Sequence, residues 1–188
     1  MRKIEGLREI ERLKLPHPKW EFVKDASELK YIGEEDEYVG WTVRTCIDEE
    51  GNEYYLPHAN WIKKEDIPRK IKEFKEKIKK KATFVVYPSW KFIKAGNVMF
   101  VDEKVIIEVV KGKIQKLLYE GFPDLIMIYS RTMPPIKLYS KGNEKLLSKS
   151  ELNSLLTLIT KIKGNKILQW SHTTKNKYFF HDLRELSK

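Results

Sequence analysis

The most informative charged residue for chemistry is an arginine inside an apolar segment. Arg44 lies between Val43 and Thr45 in the run YVGWTVRTC, residues 38–46. A guanidinium among apolar neighbours requires an anionic partner, because an unpaired charge is costly to remove from water. A structural carboxylate and a ligand phosphate both satisfy that requirement. Arg44 is therefore the first candidate for anion binding, with both interpretations open.

Histidine and cysteine give little support for metal or nucleophilic chemistry. The four histidines stand at positions 17, 58, 172 and 181, and no cysteine lies at ligand spacing from them. Cys46 is in the same apolar run as Arg44, where a packed thiol is favoured over a nucleophile. The sequence also lacks the P-loop, G-x-G-x-x-G and G-x-S-x-G motifs. These patterns disfavour the enzyme classes that depend on them.

The composition predicts a folded, basic protein. The chain has 188 residues, 41% of them hydrophobic, which is enough for a core. Its 37 Lys and Arg against 27 Asp and Glu give a net charge of +10, which favours nucleotides, nucleic acids or acidic surfaces as partners. The high lysine and glutamate content is also typical of heat-adapted proteins. A single cysteine and the lack of a long apolar run predict a cytoplasmic protein with no membrane partner.

A basic helix is predicted over residues 65–81, with Pro68 in its first turn. Its lysines raise nucleic-acid binding as one function. Acidic side chains at 65, 66, 73 and 76 are interspersed with the lysines, as on an ordinary solvated helix. Nucleic-acid binding is therefore the less favoured interpretation.

The remaining patterns alternate between helix and strand. Apolar spacing predicts helices at 3–14, 25–31 and 112–119, and Ser148 with Glu151 forms a capping box that opens another. Alternating β-branched and aromatic residues predict strands, which bunch in the second half of the chain. The predicted strands are 20–23, 38–46, 54–56, 83–90, 98–101, 104–110, 125–129, 136–139, 166–171 and 177–180. The predicted fold class is α+β with mainly antiparallel sheets.

The order of segments resembles a known family, the nucleotide-binding domain of phosphoenolpyruvate synthase and pyruvate phosphate dikinase. The opening KIEGLREIERLKLPHP, residues 3–18, resembles that family's K-G-x-N-L-x-E…G-L-P-V-P start. Residues 43–46, followed by Asp48 and Glu49, resemble its V-R-S-S-A…E-D segment. Residues 105–124 and 147–183 resemble its V-I-E-A…P-D stretch and its closing helix and hairpin. The matching order covers nearly the whole chain.

This resemblance implies an ATP-grasp fold, with two small α+β subdomains that hold ATP. We expect the subdomains at residues 1–81 and 82–188. The family's roles place Lys3 and Arg44 against the triphosphate, with Arg44 also catalytic, since charge-assisted hydrogen bonds to phosphate are strong. The segment with Val86 and Tyr87 stands where the family contacts adenine through its backbone, and Glu108 is a further candidate for binding the nucleotide.

The resemblance departs from the family at the metal site. The family's closing hairpin supplies D-x-E for Mg²⁺, then a glutamine and an arginine. Ile167, Gln169, His181 and Leu183 occupy these four positions here. Mg²⁺ prefers carboxylate oxygens, so the site is expected to be altered, with Gln169, His181 and Asp182 as its remaining ligands. A one-residue slip brings Asp182 and Arg184 to the acidic and basic positions.

Three functions follow from the sequence. The first is an ATP-binding domain that resembles the phosphate-donor half of the synthase, with weak or no catalysis alone and a partner protein that supplies a phosphohistidine domain. The second is a catalytically inactive regulatory or interaction subunit. The third is the nucleic-acid-binding protein already considered.

Overall fold

A computed structural model describes residues 2–32, 38–47, 56–78, 80–112 and 114–186. Within these ranges it contains three helices and ten strands that form two sheets. The helices are α1 (Lys3–Arg12), α2 (Ile67–Lys77) and α3 (Lys149–Ile159). The strands are β1 (Glu21–Val23), β2 (Gly40–Ile47), β3 (His58–Ile62), β4 (Ala82–Ser89), β5 (Phe92–Val101), β6 (Lys104–Lys111), β7 (Leu125–Ser130), β8 (Lys137–Gly142), β9 (Lys166–Thr173) and β10 (Tyr178–Glu185). The predicted α+β class with antiparallel sheets is confirmed.

The first compact unit comprises residues 2–4 and 18–91. Its antiparallel sheet has the strand order β1-β4-β2-β3. One face of the sheet packs on α2. The apolar side chains on that face and the apolar stripe of α2 together form one core. Trp41, Val43 and Phe84 from the strands and Ile71 and Phe74 from α2 are members of that core, and all are buried. The other face of the sheet carries Arg44.

The second compact unit comprises residues 5–17 and the chain from Phe92 onward. Its antiparallel sheet has the strand order β10-β9-β5-β6-β7-β8. Helix α3 lies on one face, where Trp170, Phe180 and Leu155 are fully buried. Apart from register shifts such as the bulge in β10 between Phe180 and Asp182, the side chains alternate along the strands, so each strand also presents side chains to the opposite face.

The division between the units differs from the expected boundary at 81/82. Strand β4 pairs with β2 along its whole length, from Gly40 opposite Ser89 to Ile47 opposite Ala82. It is therefore part of the first sheet, and the units divide after Lys91. Most of α1 groups with the second unit, although it comes first in the chain.

The helices follow the predicted positions with three differences, the first being that the predicted helix at 25–31 is only a short 3-10 turn, Ala26–Glu28. The capping box is confirmed, since Ser148 Oγ accepts from Glu151 N at 3.2 Å and Glu151 Oε2 accepts from Ser148 N at 2.8 Å. Helix α2 ends at Lys77, four residues before the predicted end. The predicted helix at 112–119 is instead a π-helical turn, Lys116–Glu120, which ends at Gly121 with a φ of 71°. None of the described helices combines the length and the apolar character needed to cross a membrane.

The strands are longer than their apolar runs suggested. The predicted strand at 98–101 begins at Phe92, since β6 and β9 pair with it on both sides and hold Gly96 and Asn97 in the ladder. Strand β10 continues to Glu185 rather than ending at Phe180. The predicted strand at 54–56 falls mostly outside the described residues, and β3 begins only at His58.

Helix α1 approaches β10 closely at one glycine. A Cβ atom on Gly6 would lie 1.9 Å from the backbone oxygen of Leu183. That separation is far inside van der Waals contact, so no larger residue fits without displacing the backbone. Lys166 Nζ, which contacts Glu9 Oε1 at 2.6 Å, adds an ion pair between α1 and β9.

Candidate functional site

The six-stranded sheet has two faces with different surroundings. On the helix face, Lys94 contacts Glu151 of α3, and Tyr178 donates a hydrogen bond to the Glu151 carbonyl at 3.4 Å. The residues that alternate with Lys94 along β5, and those paired with them on the neighbouring strands, lie on the opposite side, which we call the far face. The bulge in β10 after Phe180 brings Asp182 and Arg184 to this face as well. Most far-face side chains are half-buried rather than buried. The far face is therefore the less completely buried side of this sheet.

A row of polar side chains crosses the far face. Asp182 of β10 pairs with Gln169 of β9, and Gln169 pairs in turn with Asn97 of β5. Asn97 then pairs with Glu108 of β6. Directly opposed residues of antiparallel strands project from the same face. The four side chains of this polar row therefore lie side by side on four neighbouring strands.

Asn97 holds an unsatisfied acceptor in this row. Its Nδ2 donates to Glu108 Oε2 at 3.1 Å, which fixes the orientation of the amide. The residue is only 5% exposed, and its Oδ1 has no hydrogen-bond partner among the described residues. A buried acceptor without a donor is destabilising by roughly 1–3 kcal/mol. A ligand donor at this position would remove that penalty.

An apolar row lies beside the polar row on the same face. It runs from Ile167 of β9 through Met99 of β5 and Ile106 of β6 to Ile128 of β7. All four side chains are half-buried. Arg184 of β10 pairs with Ile167 and so extends this row with a charged end. The far face thus combines a flat apolar strip, a strip of hydrogen-bonding groups and a guanidinium.

Asp182 and Arg184 form an ion pair with three hydrogen bonds. Arg184 Nε lies 3.2 Å from Oδ1 and 3.1 Å from Oδ2 of Asp182, and Nη2 lies 2.5 Å from Oδ2. Asp182 is only 1% exposed, whereas 29% of the Arg184 side chain is exposed. The guanidinium therefore satisfies a carboxylate that is almost completely removed from water.

Two of the three expected metal ligands have protein partners in the structure. Asp182 is engaged by Arg184, and His181 Nε2 lies 2.9 Å from Ser171 Oγ. His181 also falls at a bulge in β10, out of step with Gln169. The nearest carboxylate in the polar row, Glu108, stands three strands from Asp182, or about 14 Å away. Among the described residues no three His, Cys, Asp or Glu side chains come together as a metal group.

The four-stranded sheet places two of the expected nucleotide residues on one face. Arg44 lies opposite Val85 of β4 and His58 of β3, on the side away from α2. Tyr87, two residues along β4, projects from the same side and packs edge-to-face on Trp20 at 6.5 Å between ring centroids. Both side chains are half-buried.

The Val86 backbone lies between two paired strands, and Lys3 is buried at the start of α1. The Val86 side chain points into the core under α2, and its backbone lies between the paired strands β1 and β2. Those ladders use the backbone groups that the sequence analysis assigned to adenine, so Val86 is a poor choice for that contact. Lys3 opens α1 and is only 7% exposed, which contrasts with a solvated lysine at a helix end.

The helix face contains a buried charge network that sequence reasoning missed. Lys94, which is 8% exposed, donates to the Leu146 carbonyl at 2.8 Å and contacts the Glu151 carboxylate. Burial raises the pKa of Glu151, but hydrogen bonds from Lys94 and Ser148 outweigh it and bring the pKa to about 2. His172 stacks on Tyr178, and burial and then Lys94 lower the pKa of His172 below its usual 6.5. The network joins the start of α3 to β5.

A cavity of about 220 Å³ lies at the end of the helix face, between α3 and the loop after β7. Arg131 lines it and donates to the carbonyls of Asp102, Gly164 and Ile162 at 2.9–3.3 Å. Its guanidinium also lies over the Phe100 ring, at 5.2 Å from the centroid. These contacts tie loops together, so the hydrogen bonds of Arg131 at this cavity serve the fold.

The basic helix α2 pairs much of its charge internally. Glu73 accepts from Lys70 and from Lys77, each at 2.8 Å, and these contacts lower the pKa of Glu73 to about 2. Arg69 likewise pairs with Asp66 at 2.8 Å. The mixed-charge arrangement matches the interpretation of α2 as a solvated helix.

Asn97 was missed because it belongs to no motif. The signal was the tight turn between the predicted strands 98–101 and 104–110, at Asp102 and Glu103. Val101 pairs with Lys104 across this turn, and counting four residues back along each strand places Asn97 opposite Glu108. The register of this short hairpin therefore predicts that Asn97 pairs with Glu108.

Comparison with solved structures identifies the fold. The chain matches the ADP complex of PurK, an N5-carboxyaminoimidazole ribonucleotide synthetase, with 12% identity and a TM-score of 0.55, covering 100% of this chain and 45% of that one. It matches a macrocyclase from Microcystis aeruginosa bound to its precursor peptide with 14% identity and a TM-score of 0.55, covering 99% and 53%. A third match is D-alanyl-alanine synthetase A from Vibrio cholerae, with 10% identity and a TM-score of 0.51, covering 97% and 54%.

The chain spans about half the length of the solved structures that it matches. No protein-family profile and no curated relative matches the sequence. The three matched structures are ATP-grasp ligases, and the match extends over both compact units. The protein therefore has the ATP-grasp fold.

Proposed function

We propose that this protein binds ATP or a closely related nucleotide on the far face of its six-stranded sheet. The single observation that carries the proposal is the apolar row directly beside the polar row. A nucleotide combines a flat apolar base with hydroxyl groups and a polyanion, and the far face offers a matching surface for each part. The ADP bound in the PurK structure supports the same ligand class for a chain of this fold.

The apolar row suits the base. Met99, Ile106 and Ile128 are half-buried on three adjacent strands, so together they form a strip roughly 10 Å wide. Covering such a strip with a planar base removes apolar surface from water, which stabilises the complex by roughly 25 cal/mol for each Å². A planar base can bind on this strip through apolar contacts alone.

The polar row suits the ribose. The Glu108 carboxylate accepts hydrogen bonds from hydroxyl groups, and Asn97 Oδ1 is a buried acceptor without a described partner. Ribose hydroxyls supply the donors that both acceptors need. Gln169, between Asn97 and Asp182, has an amide that both donates and accepts.

Arginine and lysine suit the phosphates. Arg184 at the end of the apolar row is a permanent cation, and Arg44 and Lys3 in the first unit stay candidates for the same role, with Arg44 catalytic. Tyr87, on the same face as Arg44, is retained as a candidate for the base, while Val86 is dropped for the reason given above. The contribution of Arg44 and of Lys3 to phosphate binding is tested by Arg44→Ala and Lys3→Ala, each of which is expected to weaken ATP binding.

A finer proposal concerns the reaction. By its resemblance to phosphoenolpyruvate synthase, the chain acts as a phosphate-donor half that has weak or no catalysis alone and passes phosphate to a partner with a phosphohistidine domain. The alternative is a regulatory subunit that binds nucleotide without turnover. ATP hydrolysis measured with Mg²⁺ and with Mn²⁺ separates the two, since turnover that disappears in Arg44→Ala supports only the first.

Calorimetric titration with ATP tests the binding site. Ile106→Glu places a carboxylate in the middle of the apolar row, and we expect at least a tenfold loss of affinity. Phe122→Glu is the matched control, since it introduces the same charge at a loop position that is 75% exposed. Equal affinities for the two variants, with both folded by circular dichroism, would contradict the proposed site.

A further inference from the structure

The place of the expected metal is occupied by a charge pair within the chain. Asp182 is the only carboxylate among the three expected ligands, and both of its oxygens contact Arg184. We infer that nucleotide binding at the far face requires no divalent cation, because the Asp182–Arg184 pair takes the place of the metal. This inference rests on the proposed nucleotide site. The chemical class of the ligand is therefore the metal-free nucleotide.

Displacing Arg184 by Mg²⁺ is unfavourable. Asp182 is 1% exposed, and a buried carboxylate keeps its charge only with a close partner. Arg184 provides that partner through three hydrogen bonds from one rigid guanidinium. A metal ion at Asp182 would have to break all three bonds and shed tightly held water as well.

The neighbouring groups do not provide enough metal ligands to offset the cost of breaking the Asp182–Arg184 pair. Gln169 and Asn97, the next two members of the polar row, are neutral amides. Glu108 is the other carboxylate of the row. It lies three strands from Asp182 in the sheet order, so one metal ion cannot bind both carboxylates. Mg²⁺ requires near-octahedral oxygen ligands at 2.0–2.1 Å and is usually held by one or two carboxylates together with substrate phosphates and water. With Asp182 paired to Arg184, the polar row offers magnesium one remaining carboxylate, Glu108, which already accepts a hydrogen bond from Asn97 Nδ2. The row is therefore a weak donor set for magnesium.

A guanidinium performs part of the work of the metal. It stays protonated at every physiological pH and matches the geometry of phosphate oxygens. Arg184 is 29% exposed at the side-chain level, on the same face as the two rows, whereas the carboxylate beneath it is inaccessible. The ligand therefore meets the cation and not the anion of the pair.

This arrangement favours binding over phosphoryl transfer. Metal ions that bridge phosphate oxygens neutralise the charge that develops during transfer, and a single arginine paired with aspartate supplies less positive charge than Mg²⁺. The far face thus suits a domain that senses or holds a nucleotide better than one that cleaves it.

Calorimetry with ATP in EDTA and in excess Mg²⁺ tests the inference on the unmodified protein. We expect the two dissociation constants to agree within about threefold. Binding that is at least tenfold tighter with Mg²⁺ would overturn the inference and leave the proposed nucleotide site standing. Lack of binding in both conditions would instead overturn the proposed function, and the inference with it.

Substitution of Arg184 sharpens the test. Arg184→Gln removes the internal cation, so ATP affinity in EDTA should fall at least tenfold, and Mg²⁺ should recover part of it through the released Asp182 carboxylate. Arg69→Gln is the matched control, because Arg69 also pairs with an aspartate but on the exposed surface of α2. Arg184→Lys keeps the charge if the glutamine variant does not fold, and it should still bind ATP in EDTA. An Arg184 variant that binds as tightly in EDTA as Arg69→Gln would contradict the role of Arg184.

Discussion

The two faces of the six-stranded sheet both contain an ion pair, but the pairs differ in what covers them. On the helix face, Lys94 and Glu151 are 10% and 20% exposed at the side-chain level and lie under α3. On the far face, Asp182 is buried while Arg184 remains 29% exposed. The first pair has its cation inside and the second has its cation outside. A charge that is sealed in can only stabilise the fold, whereas an outward cation can also meet a ligand.

The hydrogen bonding of the two faces also differs. Lys94 bridges a carboxylate and the Leu146 carbonyl, so the helix face anchors the start of α3 to β5. Among the described residues, unsatisfied buried atoms occur on both faces: Asn97 Oδ1 on the far face, and Trp170 Nε1 and the His172 ring nitrogens on the helix face. What distinguishes Asn97 is that its neighbours in the polar row, Gln169 and Glu108, are half-buried, whereas Trp170 and His172 are almost completely buried. The comparison teaches that the exposure of the surrounding side chains separates the two faces, and that an unsatisfied atom alone does not.

The largest expected effect comes from breaking the sealed pair. Lys94→Met leaves the partly buried Glu151 and the Leu146 carbonyl without their donor, so we expect a loss of about 3 kcal/mol in the free energy of unfolding, measured by urea denaturation. Lys137→Met is the matched control, because its partner Glu144 is 55% exposed and the pair is on the surface. That control should lose far less stability than Lys94→Met, because an exposed ion pair contributes little. Equal losses would show that the helix face is not sealed.

Low pH should destabilise the same Lys94–Glu151 network, whether or not a ligand is bound. The pKa of Glu151 is about 2 in the folded protein, below its usual 4.5, so its stabilising effect is complete above pH 4.5 and is lost as the pH falls towards 2. The lowered pKa of His172 adds a loss that begins below pH 6.5, where the unfolded chain takes up the proton first. Urea midpoints from pH 7.5 to 2.5 should reveal a fall of about 2 kcal/mol below pH 4.5. Glu151→Gln should flatten that part of the profile, and an unchanged profile would contradict the assignment.

The smallest effect on stability is expected on the far face. Asn97→Leu removes a buried acceptor that is already unsatisfied, while Glu108 is half-buried and can take water as its donor. We expect a change of less than about 1 kcal/mol in the free energy of unfolding, together with weaker ATP binding. A loss above about 2 kcal/mol with unchanged ATP affinity would assign Asn97 to the fold and reverse the comparison.

Local patterns predicted the elements better than the site. The Ser148–Glu151 capping box and the apolar stripe of α1 depend on residues within one or two turns, so the sequence contains their whole explanation. The Lys94–Glu151 contact joins residues 57 positions apart, and no local pattern signals it. The start of β5 was missed because pairing with two neighbours overrides the weak strand preference of Gly96.

The site was predicted in part for the same reason. The family resemblance indicated Gln169, Asp182 and Glu108, and the sheet register brings these three onto one row with Asn97. Their roles stay a prediction. The resemblance did not indicate that Asp182 is sealed by Arg184, because a D-x-R pattern two residues apart on a strand has many arrangements. Only the shared face and the burial of Asp182 distinguish an ion pair from a metal ligand.

The narrow contact at Gly6 has a consequence for evolution. The residue faces Leu183, which stands between Asp182 and Arg184 in the chain, so a side chain there would push directly on the backbone that carries both charges. Glycine weakens a helix by about 1 kcal/mol, and selection for helix stability alone would replace it. Lineages that retain this ion pair should accordingly keep a glycine in the first turns of their opening helix, even after nearly every other position has drifted.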